Sequence, residues 1–187
     1  MNQKPPYKPL DQKPYCCVPT CITMVLDRRE ISHGSQDEIG YELGLTVPKE
    51  KAHLYIKVRT GKKPIAGYGT QVGKKQYSIN NFFRKNRIGL KKTYFFVKYI
   101  PDVREFIISN IKLNNDIIVC FNNEKLHGKG DWGHVSLIQG IEKNIISLID
   151  PGKDVPKIRK VKLDKLIKAL EYHGKEKSGG FWIISKN

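Results

Sequence analysis

Long apolar runs are absent from this sequence. No stretch reaches the roughly 18 consecutive apolar residues that a transmembrane helix needs, so no membrane span is predicted. The N-terminal segment 1–9 is polar and rich in proline, and it lacks the apolar core of a secretory signal peptide. We therefore expect a cytoplasmic protein, or the processed form of a longer chain.

Cysteines are few, and they do not suggest a disulfide framework. Three crowd together as Cys16, Cys17 and Cys21, and the fourth is Cys120. Adjacent cysteines cannot easily bridge each other, so reduced thiols are expected. The cluster also lacks the Cys-x-x-Cys spacing of structural zinc sites. A metal site made of the three clustered cysteines and a histidine is one alternative, but the prediction is a protein without metal or cofactor.

Acidic residues are scarce relative to basic ones. The chain has 18 Asp and Glu against 34 Lys and Arg, a net charge of +16. Such an excess suits a nucleic acid, an acidic substrate or an anionic surface. The basic residues are spread along the chain as pairs and single residues, and no nucleic-acid-binding motif is present. One segment mixes stacking and phosphate-binding groups, namely Tyr77, Phe82, Phe83, Arg84 and Arg87. Nucleic-acid binding is therefore kept as an alternative function.

Internal repeats and low-complexity linkers are also absent, and 187 residues suit one domain. Four prolines disfavour helix over residues 1–14, which are predicted to form an extended arm. Residues 46–77 are predicted to be mainly loop. Helices are predicted over 18–29, 35–43, 78–85, 102–113 and 163–171, and strands over 92–98, 116–121, 135–141, 145–149 and 181–185. Helices come first and a mostly antiparallel sheet follows, which is typical of an α+β fold.

A candidate nucleophile lies at the start of the first predicted helix. Cys17 directly precedes that helix, where free backbone N–H groups and the helix dipole favour negative charge on sulfur. The same N–H groups can stabilise an oxyanion. Gln12, five residues upstream, offers a side-chain amide as a second donor. A buried structural cysteine is the other interpretation, because cysteine is among the most buried residue types.

A candidate base and its partner lie on a predicted hairpin. His134 opens the strand 135–141, and Asp150 ends the next strand. In an antiparallel hairpin the start of one strand lies beside the end of the other, so the two side chains are predicted to be neighbours. A carboxylate bonded to one imidazole nitrogen leaves the other nitrogen free to accept the thiol proton. Alone, each residue also fits a strand edge or an Asp-Pro-Gly turn.

The remaining histidines lie near predicted turns or in basic surroundings. None of them has a carboxylate that a hairpin would place beside it, and they are His33, His53, His127 and His173. The catalytic hypothesis therefore depends on Cys17, His134 and Asp150 together.

These segments resemble a known family. The stretch from Gln12 to Leu26, which contains Cys17-Val-Pro-Thr-Cys, is similar to the opening motif of the bacteriocin-leader-processing peptidases and their stand-alone relatives. In that motif a glutamine precedes Cys-Gly-Pro-Ala and a helix. Gly-His134-Val and Ile-Asp150-Pro are similar to the family's later segments. The resemblance implies a papain-like fold in which helices carrying the cysteine pack on a sheet carrying the histidine and aspartate.

The motif also departs from the family pattern at two positions. Val18 stands where the family usually has glycine, and Thr20 stands where it has alanine. A β-branched neighbour reshapes the wall beside the nucleophile, so the family's preference for cleavage after paired glycines is not carried over.

The sequence therefore predicts a thiol hydrolase that cleaves a peptide or related amide bond in a peptide or protein substrate. The catalytic residues would be Cys17, His134 and Asp150, with Gln12 in the oxyanion hole. Trp132 and Gly133 would contribute to substrate binding, with Trp132 as a wall of the cleft. The same residues would also suit acyl transfer or glutamine deamidation, including effector or toxin roles, because these reactions differ only in the second nucleophile.

Overall fold

The computed structural model describes residues 1–65 and 67–187. Within these residues the α-helices are α1 (Cys17–Arg28), α2 (Gln36–Glu42), α3 (Ile79–Lys85), α4 (Val103–Lys112), α5 (Asn123–His127) and α6 (Leu163–His173). None of the helices in the described ranges is both long and apolar enough to cross a bilayer.

The strands form one large antiparallel sheet and one short pair. They are β1 (Thr46–Val47), β2 (Arg59–Thr60), β3 (Leu90–Phe95), β4 (Asp116–Asn122), β5 (Gly133–Glu142), β6 (Ile145–Ile149), β7 (Ile158–Lys162) and β8 (Gly180–Lys186). The large sheet has the order β3-β8-β4-β5-β6-β7, and every neighbouring pair is antiparallel. The parallel pair β1–β2 stands apart from it.

The helix predictions are confirmed, and local capping explains where the helices begin. Ser35 and Glu38 form a capping box at the start of α2. Ser78 caps α3 by accepting a hydrogen bond from the backbone of Asn81. Asp102 does the same for α4. Each cap satisfies an N–H group that has no partner within its own helix.

Most strand predictions are confirmed, and the differences lie in β3, in β7 and in the short pair β1–β2. The strand predicted over 92–98 runs instead over β3 and is followed by a short 3₁₀ turn at Val97–Tyr99. Strand β7 was not predicted, because its sequence Ile-Arg-Lys-Val-Lys has no apolar run. The segment 46–77 contains β1, β2 and two 3₁₀ turns, Lys49–Leu54 and Lys75–Tyr77, and residue 66 within it lies outside the described residues.

The large sheet is covered by helices on both faces. Helices α1 to α3 bury their apolar residues against one face, which includes Leu137 of β5 and Ile149 of β6. Helices α4 and α6 pack on the other face, which includes Ile138 of β5 and Leu148 of β6. Because side chains alternate along a strand, one sheet supplies both cores. This arrangement is an α+β fold, and the N-terminal helix carries Cys17.

The first residues of the chain lie along the sheet and then return to α1. The backbone N–H of Gln3 donates to the carbonyl of Gln139 on β5 at 2.8 Å. Farther along, the hydroxyl of Tyr7 donates to Asp116 at 2.8 Å. Asp116 also forms a fully buried ion pair with Arg28 of α1, at 2.9 Å. These contacts anchor the N-terminal segment to both the sheet and α1, so the position of the following loop is fixed.

Candidate active site

Cys17 is the first residue of α1. The chain enters this helix through a turn in which Tyr15 has a left-handed φ of 64°, and the first helical hydrogen bond joins the N–H of Thr20 to the carbonyl of Cys16 at 2.9 Å. Pro19 lies in the first turn, where its missing N–H costs nothing. The side chain of Cys17 is partly exposed, whereas those of Cys16 and Val18 are buried. The sulfur therefore lies at a helix N-terminus within reach of solvent.

His134 is the second residue of β5 and faces Asp150. Its Nε2 atom is 2.9 Å from Oδ1 of Asp150. The ring is buried and packs edge-on against Phe121 of β4, with 5.6 Å between the ring centroids. The strand pairing accounts for this proximity, because Leu137 of β5 pairs with Ile149 of β6 and Asp150 follows Ile149 directly.

Asp150 is held by several hydrogen bonds. Besides His134, its Oδ1 accepts from the backbone N–H of Gly152 at 2.9 Å. Its Oδ2 accepts from Nη1 of Arg159 at 3.2 Å. Burial alone would raise the pKa of this carboxyl, but the hydrogen bond and charge of His134, the Gly152 N–H and the Arg159 charge together lower the pKa to about 2. Asp150 is therefore ionised throughout the neutral range.

The pKa of His134 is shifted in the opposite direction. Burial would lower the pKa of its imidazole, but interactions with Asp150 and with the side chain of Cys17 outweigh burial and raise the pKa to about 9. The ring is therefore protonated at neutral pH, with Asp150 at its Nε2 atom. The structure brings Cys17, His134 and Asp150 together from α1, β5 and the end of β6.

Gln12 lies beside the same end of the sheet. Its backbone N–H donates to the carbonyl of Pro151, the residue after Asp150, at 2.8 Å. Its side-chain Oε1 is buried and has no hydrogen-bond partner among the residues that the structure describes. The loop that precedes α1 thus places Gln12 next to the chain segment that carries Asp150.

Trp132 and Gly133 occupy the loop immediately before His134. Trp132 is 58% exposed, and its ring covers Gly130 so closely that a Cβ atom at Gly130 would lie 1.6 Å from it. At Gly133, a Cβ atom would lie 2.6 Å from the ring of His173 on α6. A side chain at position 133 would therefore displace the ring of His173, and an exposed aromatic ring stands two residues before His134.

Two residues near Asp150 were not predicted. Nε2 of His127 is 3.8 Å from Oδ2 of Asp150, a proximity that no predicted hairpin accounts for. Helix α5, which was not predicted, turns back after β4 and carries His127 to this position. Burial and the charge of Arg159 lower the pKa of His127 to about 4, so its ring is neutral at pH 7. Arg159 was missed with β7, although Arg159 and Val161 alternate with exposed residues as a strand requires.

The other three cysteines are buried and inert by comparison. Burial raises the pKa of Cys16 to about 12 and raises those of Cys21 and Cys120 far above the neutral range. Cys16 lies in one apolar cluster and Cys21 in another. In the described ranges, no group of three or more His, Cys, Asp or Glu side chains could hold a metal ion.

The proposed stacking surface for nucleic acid is not formed as expected. Phe82 and Phe83 are 4% and 1% exposed and belong to the core beneath α3. The ring of Tyr77 instead faces the guanidinium of Arg59, 5.0 Å from the centroid. The two phenylalanines are therefore unable to stack on bases, since their apolar rings pack the helix onto the sheet.

The shifted pKa of Asp150 makes the stability of the fold depend on pH. Its pKa is about 2 in the folded protein and about 3.9 in an unfolded chain, so ionisation stabilises the folded state by about 2–3 kcal/mol above pH 4. This contribution is lost as the pH falls from about 4 to about 2. The free energy of unfolding of wild type should therefore approach that of Asp150→Asn over this interval, as measured by urea denaturation. The control is Asp154→Asn, an exposed change in the same loop. If the free energy of unfolding depended on pH equally in all three proteins, the prediction would be contradicted.

Comparisons with known proteins identify the fold. No protein-family model matches the sequence, and no curated protein matches it significantly. Among solved structures, a C39-like peptidase from Bacillus anthracis matches with a TM-score of 0.61 and 15% identity, over 97% of this chain and 95% of that one. A double glycine motif protease from an AMS/PCAT transporter, solved in complex with the leader peptide, matches with a TM-score of 0.55 and 11% identity, over 100% of this chain and 98% of that one. The chain therefore has the papain-like fold of these two peptidases, as the sequence motifs predicted.

Proposed function

We propose that this protein is a cysteine peptidase that cleaves a peptide or related amide bond with Cys17 as nucleophile, His134 as acid and base, and Asp150 as the residue that orients His134. One observation carries the proposal. The imidazole of His134 is hydrogen-bonded to the carboxylate of Asp150 at 2.9 Å, and it also interacts with the side chain of Cys17 at the start of α1. This is the arrangement that a cysteine hydrolase needs.

The reaction would proceed in two halves. The thiolate of Cys17, next to the protonated His134, attacks the carbonyl carbon and forms a tetrahedral intermediate. The C–N bond breaks as His134 gives its proton to the leaving amine, and a thioester remains on Cys17. His134, now neutral, removes a proton from water, which attacks the thioester. The carboxylic acid product leaves, and the thiolate and the protonated imidazole are restored.

The negative charge that develops on the carbonyl oxygen needs hydrogen-bond donors. The backbone N–H of Cys17 lies in the first turn of α1, where N–H groups have no acceptor within the helix. The side-chain amide of Gln12 is the second candidate donor. Removing one such donor typically slows an acyl-transfer enzyme by about 10²- to 10³-fold.

A peptide is the substrate class that the fold supports best. One of the similar structures was solved with a leader peptide bound, and this chain covers nearly its whole length. The exposed ring of Trp132, two residues before His134, is proposed as a wall of the cleft that contacts the peptide and shields the acyl-enzyme from water. Gly133 would contribute through its backbone, because the position of a side chain there is taken by the ring of His173.

A peptide library tests the proposal. The protein should cleave some members of a chemically diverse peptide mixture, and prior alkylation with iodoacetamide at neutral pH should modify Cys17 first and stop cleavage. Mass spectrometry identifies both the new peptide termini and the alkylated cysteine. Adding an amine such as glycine ethyl ester separates acyl transfer from hydrolysis, and a gain of about 1 Da at glutamine marks deamidation. Cleavage that survives alkylation of Cys17 would contradict the proposal.

A further inference from the structure

The side chain of Gln36 holds the backbone on both sides of Gln12. Gln36 is the first residue of α2. Its Nε2 atom donates to the carbonyl of Asp11 at 2.8 Å, and its Oε1 atom accepts from the backbone N–H of Lys13 at 3.3 Å. One planar amide therefore spans the two peptide groups that flank Gln12.

A third backbone contact attaches the loop around Gln12 to the sheet. The N–H of Gln12 itself donates to the carbonyl of Pro151, next to Asp150. Gln36 thus ties the loop to α2, while Pro151 ties it to the sheet. The Oε1 atom of Gln12 is buried and accepts no hydrogen bond from the described residues, so the orientation of this amide depends strongly on its own backbone.

Gln36 is also linked to the helix that carries the nucleophile. The hydroxyl of Thr20 on α1 lies 2.9 Å from Oε1 of Gln36 and 2.7 Å from the carbonyl of Cys16, and its single proton serves one acceptor at a time. Thr20 is one of the two departures from the family motif, where alanine is usual and would offer no hydroxyl. Gln36 therefore contacts both the loop with Gln12 and the helix with Cys17.

We infer that Gln36 is a positioning residue for the oxyanion hole. It holds the loop 11–13 so that the amide of Gln12 and the backbone N–H of Cys17 keep a fixed separation. This inference rests on the proposed function, because it assigns the role through Gln12. Gln36 itself is not expected to touch the substrate, since its amide is engaged with backbone groups.

Two reagents separate positioning of the oxyanion hole from general damage to the site. Acylation by p-nitrophenyl acetate passes through a tetrahedral oxyanion, whereas alkylation by iodoacetamide does not. The measured quantity is the ratio of the two rate constants at Cys17, with the Cys17→Ala protein as background. Gln12→Ala should lower this ratio by about 10²-fold. Gln36→Ala should lower it by about tenfold, because a misplaced donor loses much of its effect, and should leave alkylation within about twofold of wild type.

A double mutant tests whether Gln36 acts through Gln12. In the Gln12→Ala background, Gln36→Ala should change the ratio by less than about twofold, because the group that it positions is gone. If Gln36→Ala lowers the ratio by the same factor with and without Gln12, it acts by another route and the inference is overturned.

Gln139 provides a matched control. Its side-chain amide also holds the N-terminal segment, since Oε1 accepts from the N–H of Tyr7 at 3.0 Å and Nε2 donates to the carbonyl of Gln3 at 3.2 Å. Gln139→Ala therefore removes the same kind of contact away from Gln12. It should lower the free energy of unfolding without changing the ratio.

The outcomes distinguish the inference from the function on which it rests. If Gln12→Ala lowers the ratio and Gln36→Ala does not, or if Gln139→Ala lowers it equally, the positioning role is overturned and the proposed function stands. If Gln12→Ala leaves the ratio unchanged, the proposed oxyanion role of Gln12 fails, and the role of Gln36 fails with it. The inference is supported if Gln36→Ala lowers the ratio when Gln12 is present and does not lower it in the Gln12→Ala background.

Discussion

Replacing Cys17 by alanine is expected to abolish peptide cleavage, with a loss on the order of 10⁴-fold or more. The sulfur is the atom that forms the covalent bond to the substrate, and no other cysteine can replace it, because Cys16, Cys21 and Cys120 are buried with raised pKa values. The same change should remove the fast phase of iodoacetamide labelling at neutral pH. Cleavage of the peptide mixture and the mass of the labelled protein measure the two effects.

The neighbouring cysteines are the controls for this experiment. Cys16→Ala and Cys21→Ala should retain fast labelling and cleavage, although each leaves a small cavity that lowers stability. Fast labelling at Cys16 instead of Cys17 would mean that the assignment of the nucleophile is off by one residue. A Cys17→Ala protein that still cleaves peptides at the wild-type rate would eliminate the proposed mechanism.

Replacing His134 by alanine is expected to reduce cleavage by at least about 10³-fold. The imidazole is the proton donor for the leaving amine, and its positive charge stabilises a neighbouring thiolate. Because the pKa of His134 is raised to about 9, the ring carries this charge from neutral pH up to that value. Labelling of Cys17 should therefore be slower in His134→Ala than in wild type near pH 7. The difference in labelling rate between wild type and His134→Ala should narrow as the pH rises through about 9, where the wild-type ring loses its proton.

His33 is a matched control for this change. Its Nε2 atom lies 2.9 Å from Oδ1 of Asp27, the same distance that separates His134 and Asp150. Its pKa is likewise raised, by hydrogen bonds to Gly34 and Asp27 that outweigh burial. His33→Ala should leave both cleavage and the pH profile of labelling unchanged. Equal effects at His33 and His134 would indicate that a histidine–aspartate pair matters for stability rather than for the reactivity of Cys17.

Local sequence signals were sufficient for every α-helix except α5, and for the hairpin that carries His134 and Asp150. The capping residues Ser35, Ser78 and Asp102 act through hydrogen bonds to residues a few positions away, so each start could be predicted from a short stretch. The hairpin joins two apolar strands by a tight turn, and its antiparallel pairing alone places the start of β5 beside the end of β6.

Other parts of the site depend on contacts that no local pattern encodes. Arg159 reaches Asp150 from β7, which is an outer strand with one inward-facing apolar residue, Val161. His127 reaches the same carboxylate because α5 is short and folds back over Phe121. The contact between Gln36 and the loop around Gln12 joins residues about 25 positions apart in the chain. Each of these requires the packing of whole elements, which the sequence does not reveal one segment at a time.

Part of the positive charge lies on the two outermost strands of the large sheet. Strand β3 exposes Lys91, and strand β7 exposes Lys160 and Lys162, so the edges with unpaired backbone groups both carry ammonium groups. Aligning such an edge with the same edge of another copy would bring like charges together without a counter-charge. These lysines therefore oppose edge-to-edge aggregation, and this part of the basic excess needs no anionic partner to explain it.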